Sequence, residues 1–135
     1  MATHPNFLDS VSSIRELLAG SRTLAVLGIK TEAQADQPAF YVPKYMQAAG
    51  YEVIPVPVYY PEATEILGRK VYRRLVDVPG AVDIVNVFRR PNDVPPHVAD
   101  ILAKKPRAVW LQSGIRNDKA ALELAEAGIR VVQDR

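Results

Sequence analysis

Residues 23–56 carry a strand, a glycine turn, a helix and a second strand in immediate succession, and few folds accommodate that order. Thr23-Leu24-Ala25-Val26-Leu27 is a short apolar run that stops at Gly28. A loop follows, Pro38 opens a helix-like stretch ending at Gly50, and Tyr51 begins a second apolar run. In a parallel sheet such a unit brings backbone N–H groups and a helix N-terminus to one edge, an arrangement that receives a pyrophosphate. A dinucleotide site closes the unit with Asp or Glu after the second strand, where the carboxylate holds the ribose diol. Here that strand ends Ile54-Pro55-Val56-Pro57-Val58, with no acid. The pyrophosphate half of the signature is present and the ribose half is missing. This predicts a nucleotide whose ribose is held in another way.

The rest of the chain repeats the alternation. Val11, Ile14 and Leu18 fall on one face of a helix predicted over Ser10 to Ala19, with Ser10 as cap and Gly20 as stop. Residues 29–36 show no periodicity and read as a loop. Val42, Tyr45, Met46 and Ala49 recur at helical spacing behind Pro38. Pro43 lacks an N–H, so either the opening turn is irregular or the regular helix begins close to it. Residues 59–81 read as a connection with at most a short helix. Val82 to Phe88 is a third strand, and Pro95-Pro96 open a helix with Val98, Ile101 and Leu102 inward, ending at Lys104-Lys105. Ala108 to Gln112 is a fourth strand, Asn117 caps a helix that Gly128 closes, and Arg130 to Gln133 is a fifth.

Strands alternating with helices predict an α/β fold, a doubly wound parallel sheet of three layers, α/β/α. The expected form is Rossmann-like, five-stranded, order 3-2-1-4-5, in one domain over residues 1–135 with 1–8 as a loose leader. In that order the carboxyl ends of the first and fourth strands, Gly28 and Gln112-Ser113-Gly114, flank the ligand edge. The third strand adds Phe88-Arg89-Arg90.

Composition narrows the function classes. Seventeen basic against fifteen acidic residues leave a formal charge of only +2, without the dense basic face of a nucleic-acid binder. The absence of cysteine excludes disulfides, thiolate catalysis and cysteine metal sites. No apolar stretch approaches a membrane span and Met1-Ala2-Thr3-His4-Pro5 is not a signal peptide, so a cytoplasmic protein without membrane partners is expected.

With those positions set, the chain resembles the small stand-alone CoA-binding proteins, whose Rossmann-like domain is shared with succinyl-CoA synthetase alpha subunits and acyl-CoA synthetases. The matching stretches are Ala25-Val26-Leu27-Gly28, Tyr51-Glu52-Val53-Ile54-Pro55-Val56, Ile66-Leu67-Gly68 with Val71-Tyr72, and Val82-Asp83-Ile84-Val85 with Val87-Phe88-Arg89. Val109-Trp110-Leu111-Gln112-Ser113-Gly114-Ile115 and Asp134-Arg135 complete them. Similar proteins carry Arg where Gln37 stands and Asn where Pro57 stands.

The resemblance implies coenzyme A, or an acyl-CoA, as cofactor. Gly28 would let the pyrophosphate approach, a reading favoured here over that of a strand simply ending in a tight turn. Ile29, Lys30 and Thr31 would line the phosphates, mostly through backbone amides, with Gln37 and Pro38 at the helix start. Lys30 is balanced between facing phosphate and being a solvated loop cation. Val56 and Pro57 would form an adenine shelf. Arg89 and Arg90 would pair with the 3′-phosphate or simply decorate a strand end, and Phe88 reads first as core. Gln112, Ser113 and Gly114 are candidates for the pantetheine arm, and Trp110 for the core. Gly28→Val is expected to abolish binding while leaving the fold largely intact.

No catalytic constellation is legible. Ser113 is not in a Gly-x-Ser-x-Gly elbow, and His97 has no sequence partner to orient it. The related synthetases use a phosphorylated histidine in a second domain that this chain does not contain. The first reading is therefore a CoA-binding module without chemistry of its own, a carrier, sensor or partner of a CoA-using enzyme. An NAD(P)-dependent or synthetase-type enzyme subunit stands second, and an interaction module that has lost its ligand third.

Overall fold

The computed structural model describes residues 3–135. Helix α1 (Val11–Ala19) leads into β1 (Thr23–Leu27), α2 (Pro38–Ala48) and β2 (Glu52–Val56). A small antiparallel hairpin, β3 (Glu65–Ile66) and β4 (Arg69–Lys70), occupies the long connection. It precedes β5 (Ile84–Val87), α3 (Val98–Lys104), β6 (Ala108–Leu111), α4 (Asp118–Glu126) and β7 (Arg130–Val132). The caps are those the sequence offers. Ser10 Oγ accepts from the Ser13 N–H at 3.1 Å, and Asn117 Oδ1 accepts from the Ala120 N–H at 3.0 Å.

Five strands form one parallel sheet, and period-two alternation divides their side chains between two apolar layers. Ala25, Leu27, Val85, Val87, Val109 and Leu111 pack against Ile101 of α3 and Leu124 of α4. Leu24, Ile84, Ala108 and Val132 meet Ile14 and Leu17 of α1, while Val26 and Val53 meet Phe40 of α2. The doubly wound α/β architecture is the one expected.

Its strand order is not. The sheet runs β2-β1-β5-β6-β7, which in order of the five main strands is 2-1-3-4-5 and corrects the expected 3-2-1-4-5. The third strand pairs with the first, not with the second. Asp83 supplies part of the reason: its Oδ2 accepts the backbone N–H groups of Arg22 (2.7 Å) and Thr23 (3.1 Å), tying the entry of β5 to the entry of β1. All four residues of β5 are buried, as befits a central strand covered on both faces. The topological switch therefore falls between the first and third strands, at Gly28 and Phe88, and Gln112-Ser113-Gly114 lies one strand further out.

Two local expectations also change. Within the predicted leader, Leu8 N–H donates to the Val131 carbonyl and Val131 N–H to the Asn6 carbonyl, both at 2.8 Å. Phe7 thus extends the sheet as a parallel bridge beyond β7, because the outer side of that strand offers free ladder groups. The expectation for residues 1 and 2 lies outside the described residues. Pro43 sits inside a continuous α2. The Ala39 carbonyl, which a helical N–H at position 43 would have satisfied, instead accepts the Lys30 N–H at 3.1 Å. The proline thereby clasps the β1–α2 loop against its own helix.

Candidate functional site

Gly28 ends β1 with φ at +88°. Its N–H donates to the Val56 carbonyl, and the Phe88 N–H donates to the Leu27 carbonyl, each at 2.9 Å. A Cβ at Gly28 would stand 2.3 Å from the Phe88 carbonyl oxygen. Glycine is thus demanded by the backbone of the switch point itself, and the expectation that Gly28→Val spares the fold is corrected.

The loop beyond it uses its own amides. Lys30 N–H is held by Ala39, as above, and the Thr31 N–H donates to Gln34 Oε1 at 3.1 Å. Thr31 caps a short 3-10 turn over Glu32–Gln34. Ile29 is 1% exposed and packs with Val26 and Phe40, so its side chain belongs to the core. What the loop presents outward is the Lys30 ammonium, which donates to Gln37 Oε1 at the N-cap of α2. A cation and a helix N-terminus thus coincide, and both favour an anion there.

Lys30, Gln37, Pro38 and Ala39 form one wall of an open groove of about 330 Å³. Phe88, Arg89, Arg90 and Pro91 form another, and Ser113, Gly114 and Ile115 the third. The Gly114 N–H is engaged by Asp134 Oδ1 at 2.6 Å, which fixes this last turn.

A second cavity of about 230 Å³ lies beyond Arg89, lined by Leu27, Pro57, Val58, Arg73, Arg74, Leu75, His97 and Asp100. Val56, expected as shelf, is wholly buried beneath, so the apolar surface offered is that of Pro57 and Val58. Arg89 links the two spaces. Its Nε–H donates to His97 Nε2 (3.2 Å), an Nη donates to the Tyr59 hydroxyl (3.4 Å), and Asp93 lies 3.9 Å away. Arg89 is only 15% exposed, whereas Arg90 is 84% exposed and pairs with Asp93 at 3.0 Å. From sequence, Tyr59, Arg74 and Asp100 are passed over, and His97 is taken up only as a histidine without a catalytic partner. They come from three elements, and only the tyrosine next to the end of β2 carried a positional hint. Asp100 is a carboxylate near that strand end, but Arg74 holds it with two hydrogen bonds of 2.8 and 3.1 Å.

Burial, then the charge of Arg89, lowers the His97 pKa below its ordinary value, so the imidazole is neutral and accepts from Arg89. A base depressed in the native state leaves the unfolded chain binding more protons just below pH 6.5. Stability should therefore fall as pH drops through that value, and His97→Gln should remove that part of the loss. Thermal melts of both proteins from pH 8 to pH 5 test this; identical pH profiles would count against it.

Among the described residues no helix is long and apolar enough to cross a membrane, and no cluster of His, Asp and Glu suits a metal ion. Over residues 22–135 the chain matches a protein family described as CoA binding domain. It is 38% identical over 125 residues to the uncharacterized protein YneT of Bacillus subtilis (strain 168), covering 93% of this chain and 89% of that one. Among solved structures it is similar to the cell-free ID.343 protein of Thermus thermophilus, with 40% identity, a TM-score of 0.85 and coverage of 94% and 92% of the two chains. A hypothetical protein from Pyrococcus horikoshii OT3 superposes with a TM-score of 0.84 at 31% identity, over 100% of this chain and 92% of that one.

Proposed function

The chain belongs to the CoA binding domain family, and from that premise we propose that it holds coenzyme A or an acyl-CoA along the carboxyl edge of the sheet, as a binding module without chemistry of its own. The observation that carries this reading is the Lys30 ammonium at the N-terminus of α2, facing a groove whose opposite wall bears Arg89 and Arg90. The pyrophosphate lies against Lys30 and the helix start. Lys30 thus supplies the cation that similar proteins place at the position of Gln37. The adenine rests over Pro57 and Val58, the 3′-phosphate lies near Arg90 and the exposed side of Arg89, and the pantetheine arm runs past Phe88 toward Ser113 and Gly114. Three cationic side chains along the groove and an apolar shelf in the adjoining cavity suit a ligand with three phosphates and one base. A CoA-using enzyme is the natural partner of such a carrier.

Asp100 is the feature that favours a dinucleotide, since it brings a carboxylate toward the end of β2. Its two hydrogen bonds to Arg74 leave less of it for a ribose diol. Calorimetric titration with CoA, dephospho-CoA and NAD separates the readings. CoA should bind most tightly, and its advantage over dephospho-CoA should shrink as salt rises. NAD binding as tight as CoA would overturn the proposal.

A further inference from the structure

On the opposite face of the sheet from α3 and α4, a cavity of about 200 Å³ lies between α1, α2 and the central strands. Leu18, Val42, Met46 and Ile84 give it an apolar half. Asn86, only 5% exposed, Trp110, Gln112 and Arg135 give it a polar one. The Trp110 indole Nε1–H is buried with no hydrogen-bond partner. That N–H is closed to solvent, so the buried polar group left to meet an acceptor in the cavity is the Asn86 amide.

The cavity adjoins the groove along three elements. Phe88, just past the end of β5, lines the groove, and Asn86, two residues earlier on the strand, lines the cavity. Gln112 lines the cavity directly before Ser113 and Gly114 of the groove. On α2, Ala39 lines the groove and Val42 the cavity. Two residues of strand advance about 6.6 Å, and three residues of helix about 4.5 Å. The cavity therefore begins a few ångströms inward from where the pantetheine arm ends.

We propose that this cavity receives the acyl group of an acyl-CoA, its thioester carbonyl accepting from the Asn86 amide and its hydrocarbon lying among Leu18, Val42, Met46 and Ile84. The inference rests on the CoA reading above. An apolar cavity of about 150 Å³ holds benzene, so this one suits a group of roughly six to eight non-hydrogen atoms. It selects short acyl chains and excludes long ones.

Trp110 is the single tryptophan of the chain, so its fluorescence, excited selectively over the six tyrosines, reports on this cavity. Hexanoyl-CoA should bind at least tenfold tighter than CoA, shift the emission to the blue and shield it from acrylamide. CoA should bind without that response, and palmitoyl-CoA should gain nothing over CoA. Val42→Phe, which fills the cavity, should leave CoA affinity within about twofold and abolish the hexanoyl advantage. Asn86→Leu, followed by calorimetry, should reduce that advantage by removing the donor while keeping the side chain's shape. If CoA binds but hexanoyl-CoA binds no better and leaves the tryptophan unchanged, the acyl chamber is wrong and the CoA site stands. If neither ligand binds, the CoA reading fails and the chamber with it.

Discussion

Gly28→Val should lower the stability of the protein by roughly 2–5 kcal/mol. About 1–2 kcal/mol comes from forcing an L side chain into left-handed backbone, and about 1–3 kcal/mol from the overpacking that follows. The second contribution is specific to this position, where the new Cβ would lie 2.3 Å from the Phe88 carbonyl oxygen and 3.2 Å from the Arg89 Cδ. A backbone carbonyl does not rotate away as a side chain does, so β1 and β5 must separate at their ends. For a domain of this size the loss corresponds to a fall in Tm of roughly 10–20 °C. Gly114 provides the internal comparison: its φ is +83°, yet nothing lies within 4 Å of a Cβ built there. Gly114→Ala should therefore lose only the conformational part, and Gly28→Ala clearly more. Equal melting shifts for those two alanine variants would refute the close-approach account. Loss of CoA binding by Gly28→Val would then follow from a disturbed switch point rather than from a blocked phosphate.

Lys30→Glu is the variant that separates binding from folding. Removing the ammonium deletes a charge-assisted hydrogen bond to phosphate, about 1.5–3 kcal/mol. The new carboxylate repels the same phosphate by about 3 kcal/mol at 5 Å and an effective dielectric of 20. Affinity for CoA should drop at least a hundredfold, and Lys30→Met, which only deletes charge, should fall between the two proteins. Raising the salt should narrow both gaps. The fold should tolerate the change, because the Lys30 backbone N–H keeps its bond to the Ala39 carbonyl and the half-buried side chain serves only Gln37. Melting temperatures close to wild type are expected beside the lost affinity. Lys30→Glu binding CoA within threefold of wild type would move the pyrophosphate away from α2.

The distinction between these variants follows from where each kind of information resides. Ser10, Asn117, Pro38 and the apolar runs act on residues within one or two turns of themselves, so helix starts and strands were legible directly. Contiguous residues determine periodicity and capping. Gly28 was legible as a turn for the same reason, and so were the doubly wound class and the clustering of polar residues at one sheet edge.

Strand order was not legible, because it depends on which partner a strand finds across a gap in sequence. Asp83 meets the N–H groups of Arg22 and Thr23 sixty residues away, and nothing in its local sequence distinguishes that carboxylate from a solvated one. The same holds for the cation system. Arg89 is embedded by Tyr59 and His97, from separate segments, and Pro43 acts on Lys30, thirteen residues away, by freeing the Ala39 carbonyl. The sequence by itself determined that helices and strands alternate, where they start, and that their polar ends share an edge, since local conformational preferences suffice for that. Only the tertiary structure decided which two strands form the switch point, which loop amides are already spent on the chain, and which cations still face the groove, because those depend on backbone and side-chain groups that meet only after the sheet has closed.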